Sequence, residues 1–316
     1  MNVGDLSILL YTPEEQQLWE RELSAALPSA QIHPIAQIHP TAEAPQCHYA
    51  LLWRPPPGLL ATQHNLRAIF ALGAGVDSIL TAGDLPSSVP LVRIEDAGMA
   101  QQMVEYSLYA VLHTFRGFGR YHDDQTRRQW APRPAGEHRN FPVGVLGLGV
   151  LGRAVAQGLA ALDFPVHGWS RTRARLPGVT CHSGPEGLRN TLTASNVLIV
   201  LLPLTHQTRG LLDAETLSLL PDGACLVNLA RGPLVVEQDL LDALDRGPLA
   251  HAFLDVFSTE PLPPDHPFWH HRAVSVTPHV AALTPVAPAA QQIAQKILQL
   301  QQGLPVTGIV DPTRGY

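Results

Sequence analysis

Residues 141–162 read FPVGVLGLGVLGRAVAQGLAAL, and the reading of this stretch decides the fold. Val143, Val145 and Leu146 make a short apolar run of the kind required of a parallel strand covered on both faces. Gly147, Gly149 and Gly152 follow at G-x-G-x-x-G spacing, and the three have different tasks. Gly147 permits a tight turn, Gly149 lets backbone approach phosphates, and Gly152 lets the next helix pack closely on its strand. Leu151, Val155 and Leu159 then recur on one helical face. A helix beginning at Val150 and Leu151 aims its first unpaired N–H groups and its positive dipole end at a bound anion. Strand, glycine turn and helix together predict a dinucleotide-binding unit.

Outward from this unit, the chain before it also alternates strand and helix. Residues 7–11 read as a strand, and Thr12-Pro13-Glu14-Glu15 combines a capping box with proline at the first helical position. The helix expected there turns Leu18, Trp19, Leu23 and Leu27 inward. The short duplication QIHP at 31–34 and 37–40 is too brief for a solenoid, and His33 and His39 read as loop or strand-end residues rather than metal ligands. Residues 49–53 form another buried strand, ended abruptly by Arg54 and the prolines after it, and 66–72 a third, running into Gly73-Ala74-Gly75.

Residues 98–120 turn helical, with Met103, Leu108, Val111, Leu112 and Phe115 apolar, and this helix is expected to cross between domains. A polar segment, 121–139, leads into the glycine unit. Beyond it, apolar runs at 165–169, 196–202, 224–229, 251–256 and 273–276 suit buried parallel strands. Thr284-Pro285 reads as cap and first-turn proline of a last helix with Ile293, Ile297 and Leu300 on its apolar face, stopped by Gly303. The expected division is 1–100 plus 285–316 as one α/β domain and 101–284 as the dinucleotide domain.

Composition narrows the class. The chain has 316 residues and a formal charge of −6, long enough for two cores and without the basic arm or stripe that nucleic acid requires. Cys47, Cys181 and Cys225 lack paired spacing, so neither a disulfide framework nor a zinc site is indicated. The opening residues, with the acidic Asp5, and the absence of a long apolar run predict a cytoplasmic protein with no membrane partner.

Four ordered segments, GLGVLG from 147, NLARG from 228, LDVFSTEP from 254 and TPHVA from 277, resemble the D-isomer-specific 2-hydroxyacid dehydrogenase family over nearly the whole chain. Within that family the chain is most similar to the glyoxylate/hydroxypyruvate reductase A group, through ALGAGVDSIL, LLPLTHQT, LPDGACLVNLARG and the closing VTGIVDPTRGY. The resemblance implies two Rossmann-like or flavodoxin-like domains with parallel sheets, an active site in the cleft between them, and a homodimer joined through the nucleotide domains.

Reduction of a 2-oxo acid needs a hydride, a proton for the carbonyl oxygen and a cation that holds the carboxylate and polarises the carbonyl. By resemblance His279 donates the proton, with the Glu260 carboxylate stabilising its imidazolium form. Arg231 can bind carboxylate and carbonyl oxygen together through its planar fork. Gly73, Ala74 and Gly75 offer backbone N–H groups as a second carboxylate anchor, and Trp53 and Arg54, at a neighbouring strand end, line the same pocket or are simply solvated. Leu202 and Pro203 pack against the cofactor in the family, and Asp255 matches the position that bonds the nicotinamide carboxamide, although an isolated aspartate there equally caps a strand.

Cofactor choice turns on Trp169-Ser170-Arg171-Thr172-Arg173, about twenty residues past the glycines, where NAD enzymes carry an acid for the ribose hydroxyls. Ser170 stands there with no carboxylate beside it, and Arg171 and Arg173, together with Arg175, can neutralise a phosphate, so NADP(H) is preferred over NAD(H). The cluster 265–271, with three histidines and an aspartate, is read as a variable loop rather than a metal site. The expectation is an NADPH-dependent reductase of glyoxylate and hydroxypyruvate. A reductase of a bulkier 2-oxo acid is the alternative within the family, and a nucleotide-sensing corepressor-like binding protein the alternative outside catalysis.

Overall fold

The computed structural model describes residues 6–35, 45–134 and 136–316. His39 and Asp5 lie outside the described residues. The chain divides into two compact units, Met1–Gly98 with Thr284–Tyr316, and Met99–Leu283.

The first unit opens with β1 (Leu6–Tyr11), α1 (Gln16–Ala26), β2 (Ala30–Pro34), β3 (Tyr49–Leu52), β4 (Ala68–Ala71), α2 (Asp77–Thr81) and β5 (Leu91–Val92). Its sheet runs β2-β1-β3-β4-β5, every pair parallel, which is the doubly wound order of the flavodoxin type. β3 and β4 are buried at every residue, as strands covered by helices on both faces must be. β2 is the edge, carries Gln31, His33 and Pro34 and is nowhere fully buried, so it lacks the apolar run by which its neighbours are recognised in sequence.

The start of α1 departs from the expected capping box. The Thr12 hydroxyl accepts from the Glu14 N–H two residues on, at 3.3 Å, so Thr12 closes a local bend instead of capping. Glu15 adopts φ 52° and the helix begins at Gln16. Trp19, Leu23 and Leu27 are nonetheless buried. Leu18 is half-buried.

The second unit contains α3 (Met99–Arg116), α4 (Phe118–Thr126), β6 (Val143–Leu146), α5 (Val150–Ala160), β7 (Val166–Trp169), β8 (Val179–His182), α6 (Gly184–Ala194), β9 (Val197–Val200), α7 (Ala214–Leu217), β10 (Ala224–Asn228), α8 (Glu237–Asp245), β11 (Leu249–Leu254) and β12 (Val274–Val276). The helix expected to cross between domains breaks at Gly117, φ 63°, and α3 lies wholly in this unit. Its Met103, Ala110 and Val111 join Val155 and Leu159 of α5 in one core cluster. Each of the larger ones contributes roughly 1.5–3 kcal/mol of burial.

The sheet order is β12-β11-β10-β9-β6-β7-β8, parallel throughout. β6 lies at the centre of the order reversal, flanked by β7 and β9, so a ligand belongs at the carboxyl ends of these strands. β8, an edge strand with one exposed and three half-buried residues, has no signature in the sequence pattern. β11 begins two residues earlier than the apolar run suggests, where Leu249 pairs with Ala224 of β10, and ends two residues earlier, where the Asp255 side chain bonds the loop after β12.

From Thr284 the chain rejoins the first unit as α9 (Val286–Gln301). Pro285 is the N-cap itself, with φ −66° and ψ 115°, rather than the first helical residue. Gly303 adopts φ 72°, the left-handed conformation that ends helices.

Candidate active site

Every sequence-selected residue of the second unit sits at or just beyond the carboxyl end of a parallel strand. After β6, Gly147 takes φ 103°, and a Cβ there would lie 2.5 Å from the Leu201 carbonyl oxygen. At Gly152 a Cβ would stand 1.8 Å from the Gly147 carbonyl oxygen, so only glycine lets α5 start this close to the turn. Gly149 is the N-cap of α5 and has open space where a side chain would be. Gly149 and Val150 are exposed, Leu151 is half-buried, and no side chain caps this helix. An accessible, uncapped helix start behind a tight glycine turn is the kind of cradle that a pyrophosphate occupies.

Beyond β7, the Ser170 hydroxyl donates to the Thr172 carbonyl at 2.8 Å and the Ser170 N–H to the His182 carbonyl at 3.2 Å, which closes the loop. Arg171, Arg173 and Arg175 project from it exposed. The segment Ser170–Arg175 contains no acid. Beyond β9, Leu202 is buried and Pro203 half-buried, and the Pro203 carbonyl accepts from the Thr208 hydroxyl at 2.7 Å. The residues present fit a phosphorylated dinucleotide: amides for its pyrophosphate and guanidinium groups for a further phosphate.

Arg231, Glu260 and His279, the residues expected to act on the substrate, lie in the loops after β10, β11 and β12. Asn228, 1% exposed at the end of β10, donates from its amide to the Arg231 carbonyl at 3.0 Å and accepts from the Ala230 N–H at 3.2 Å. This holds the turn that presents Arg231, whose guanidinium donates to the Ala230 carbonyl at 2.6 Å. Gly232 then packs on the next loop so tightly that a Cβ would lie 2.0 Å from the Phe257 carbonyl carbon. That same Phe257 donates its N–H to Glu260 Oε1 at 3.1 Å. Glu260 Oε2 in turn meets His279 Nδ1 at 2.8 Å. One chain of contacts thus runs from the arginine turn through the Phe257 backbone to the carboxylate and imidazole. With Nδ1 bonded to the carboxylate, Nε2 is the ring nitrogen left to exchange a proton with a ligand.

His279 itself takes φ 57°, a costly conformation for a residue with a Cβ. Its N–H donates to the Asp255 carbonyl at 2.8 Å. The Asp255 carboxylate also holds the same loop, as the strand-end cap that its position equally allowed. It is 1% exposed and accepts from Thr277 Oγ1 at 2.6 Å, Val280 N–H at 2.9 Å and Ala281 N–H at 2.9 Å. Asn228 and Thr277 escaped the sequence reading as site residues. The available signal for Asn228 was a lone amide closing the apolar run ACLVN.

In the first unit, Trp53 is half-buried and its indole lies against Gly73, where a Cβ would be 2.6 Å from the ring. Arg54, exposed and at φ 46°, sets its guanidinium 5.6 Å from the Trp53 ring centroid. Gly73 is buried, and Ala74 and Gly75 are half-buried, in the turn between β4 and α2.

Two of the three histidines of 265–271 are directed to separate acids. His266 Nε2 lies 3.4 Å from Glu237, and His271 Nε2 lies 3.3 Å from Asp245. Among the described residues, no group of three or more His, Cys, Asp or Glu could hold a metal, and no helix is long and apolar enough to cross a membrane.

Comparison with known proteins agrees with this geometry. Residues 108–281 match the family model described as D-isomer specific 2-hydroxyacid dehydrogenase, NAD binding domain. A D-isomer specific 2-hydroxyacid dehydrogenase from Xanthobacter autotrophicus Py2, solved with NADPH and MES, is 41% identical, with TM-score 0.94 over 98% of this chain and 99% of that one. An NADPH-dependent glyoxylate/hydroxypyruvate reductase from Sinorhizobium meliloti, solved with NADP and sulfate, is 34% identical, with TM-score 0.91 over 99% and 100%. A probable 2-hydroxyacid dehydrogenase from Rhizobium etli CFN 42, solved with NADP, HEPES and L(+)-tartaric acid, is 33% identical, with TM-score 0.89 over 99% of both chains.

Proposed function

This chain belongs to the D-isomer-specific 2-hydroxyacid dehydrogenase family of NAD(P)-dependent oxidoreductases, and from that premise we propose that it is an NADPH-dependent reductase of small 2-oxo acids, glyoxylate and hydroxypyruvate first among them. The observation that carries the proposal is the Glu260–His279 pair at 2.8 Å, tied through the Phe257 backbone to the turn of Arg231. The nicotinamide, when bound, supplies the hydride.

The residues of the chain do the rest. His279 hands a proton from Nε2 to the carbonyl oxygen, and Glu260 stabilises the charged ring before transfer and reorients it afterwards. Arg231 binds carboxylate and carbonyl oxygen in its fork and draws charge onto that oxygen. The amides of Gly73, Ala74 and Gly75 would hold the substrate carboxylate, with Trp53 and Arg54 lining the space beside them. Gly147, Gly149, Val150, Leu151 and Gly152 would hold the pyrophosphate, and Ser170, Arg171 and Arg173 the additional phosphate that favours NADP(H). Tyr109 and Phe118, 58% and 46% exposed on α3 and α4, offer apolar surface for a homodimer joined through the nucleotide units. A cytoplasmic location fits the cofactor and the unpaired cysteines.

The test is a panel of 2-oxo acids of increasing size against NADPH and NADH, read as loss of reduced-cofactor absorbance. Turnover of glyoxylate and hydroxypyruvate with higher kcat/KM for NADPH is expected. Preference for a bulky 2-oxo acid would replace the substrate assignment, and no turnover of any would replace catalysis with nucleotide sensing.

A further inference from the structure

The loop that carries His279 is held by a polar relay whose far end lies on a different element. Tyr106 of α3 places its hydroxyl 2.7 Å from Thr277 Oγ1. Thr277 Oγ1 is in turn 2.6 Å from Asp255 Oδ1, and the two oxygens of Asp255 also receive the N–H groups of Val280 and Ala281, on the far side of His279. The donor count sets the direction. An ionised carboxylate only accepts, so the single Thr277 proton goes to Asp255, and the Tyr106 proton must then go to Thr277. Every proton in the relay points towards the buried carboxylate.

We propose that Tyr106 is a positioning residue for proton transfer: through Thr277 and Asp255 it locks the left-handed backbone at His279 and so fixes where the imidazole lies. Three observations support this. A non-glycine residue at φ 57° persists only where its surroundings over-determine it. Here the Asp255 carbonyl takes the His279 N–H while its carboxylate takes the amides of the next two residues and the side chain two residues before. Moreover, burial, with the nearby Asp255 charge adding to it, pushes the Tyr106 phenol up from its usual range, so it stays a donor whenever the enzyme is folded. Finally, no sequence motif around 277 contains Tyr106, which lies 171 positions away from Thr277. The inference rests on the proton-donor role given to His279 above.

Tyr106→Phe removes the one hydroxyl and keeps the ring. The expected result is a fall in kcat of about five-fold, the worth of one neutral hydrogen bond, with KM for NADPH unchanged and the melting temperature lowered by no more than the loss of that one bond. Thr277→Val should lose more, Thr277→Ser should restore activity, and the Tyr106→Phe/Thr277→Val double variant should be no worse than Thr277→Val alone, since the relay is already cut. The ring ¹⁵N–¹H resonances of His279 report loop order without turnover, and they should broaden or shift in Tyr106→Phe. Failure of the 2-oxo acid panel would remove the substrate assignment yet leave this spectral change readable. An unchanged His279 spectrum, an unchanged kcat, or a loss confined to KM and stability would overturn the positioning role.

Discussion

Glu260→Gln isolates the charge in the proposed acid–base pair. An amide oxygen can still accept from His279 Nδ1, so shape is preserved while the negative charge is lost. In the structure the carboxylate and imidazole are 2.8 Å apart, with side chains 22% and 30% exposed, so the pair is neither solvated nor sealed. Two unit charges about 4 Å apart at an effective dielectric near 20 attract by roughly 4 kcal/mol, and a charge-assisted hydrogen bond nets roughly 1.5–3 kcal/mol after desolvation. Taking about 2 kcal/mol for the part felt by the imidazolium predicts a loss of about thirty-fold in kcat/KM. Steady-state NADPH oxidation with glyoxylate measures it, alongside NADPH affinity from fluorescence and a thermal melt. NADPH affinity should change little, while the melt should shift down by about the worth of one hydrogen bond, because the single amide oxygen that stays with His279 Nδ1 leaves the Phe257 N–H facing an NH2 group where Oε1 stood. Glu260→Ala removes both acceptors and should lose more turnover and more stability. Wild-type kcat/KM in the glutamine variant, or equal losses in turnover and cofactor affinity, would refute the electrostatic role of Glu260.

Gly152→Ala sets a Cβ 1.8 Å from the Gly147 carbonyl oxygen, and a shift of α5 worth about 1–3 kcal/mol should weaken NADPH binding by about ten-fold or more, measured by fluorescence titration; unchanged affinity would remove the glycine loop from the cofactor site. Arg171→Ala should lower NADPH affinity more than NADH affinity, and an unchanged ratio of the two KM values would exclude this arginine from phosphate recognition. His251 gives a stability prediction with a definite sign. Burial, helped by His113 and His271, pushes its imidazole from 6.5 down to about 4. The unfolded chain therefore binds more protons between those values, so stability is full above about pH 6.5 and falls as pH drops towards about 4, by about 2 kcal/mol once the ring's partial exposure is discounted. Urea midpoints across that window should fall less steeply in His251→Asn, and parallel slopes would assign the acid lability to other groups.

The contacts of the proposed site illustrate why some of this was legible and some was not. NLARG, LDVFSTEP and TPHVA identified Arg231, Glu260 and His279 as residue types suited to the chemistry, and the apolar runs located β6, β9 and β10, which are buried at every position. The edge strands β2 and β8 stayed hidden because an edge needs no continuous apolar pattern. The capping box at Thr12 failed for a local reason: its hydroxyl bonds the Glu14 N–H, which lies before the helix begins.

Alternation of apolar runs and a glycine-spaced turn were enough, without coordinates, to specify an α/β chain with a nucleotide-binding unit, because both signals depend on residues adjacent in the chain. What required tertiary structure was the direction of each polar side chain. Asp255 became a clamp on the loop after β12, Gly232 brought the Arg231 turn onto Phe257, and Tyr106 entered the site from α3. Each of those outcomes depends on a partner distant in sequence. A hydrogen bond or a close packing contact exists only once folding has brought both halves within a few ångströms, and no local pattern along the chain marks which halves will meet.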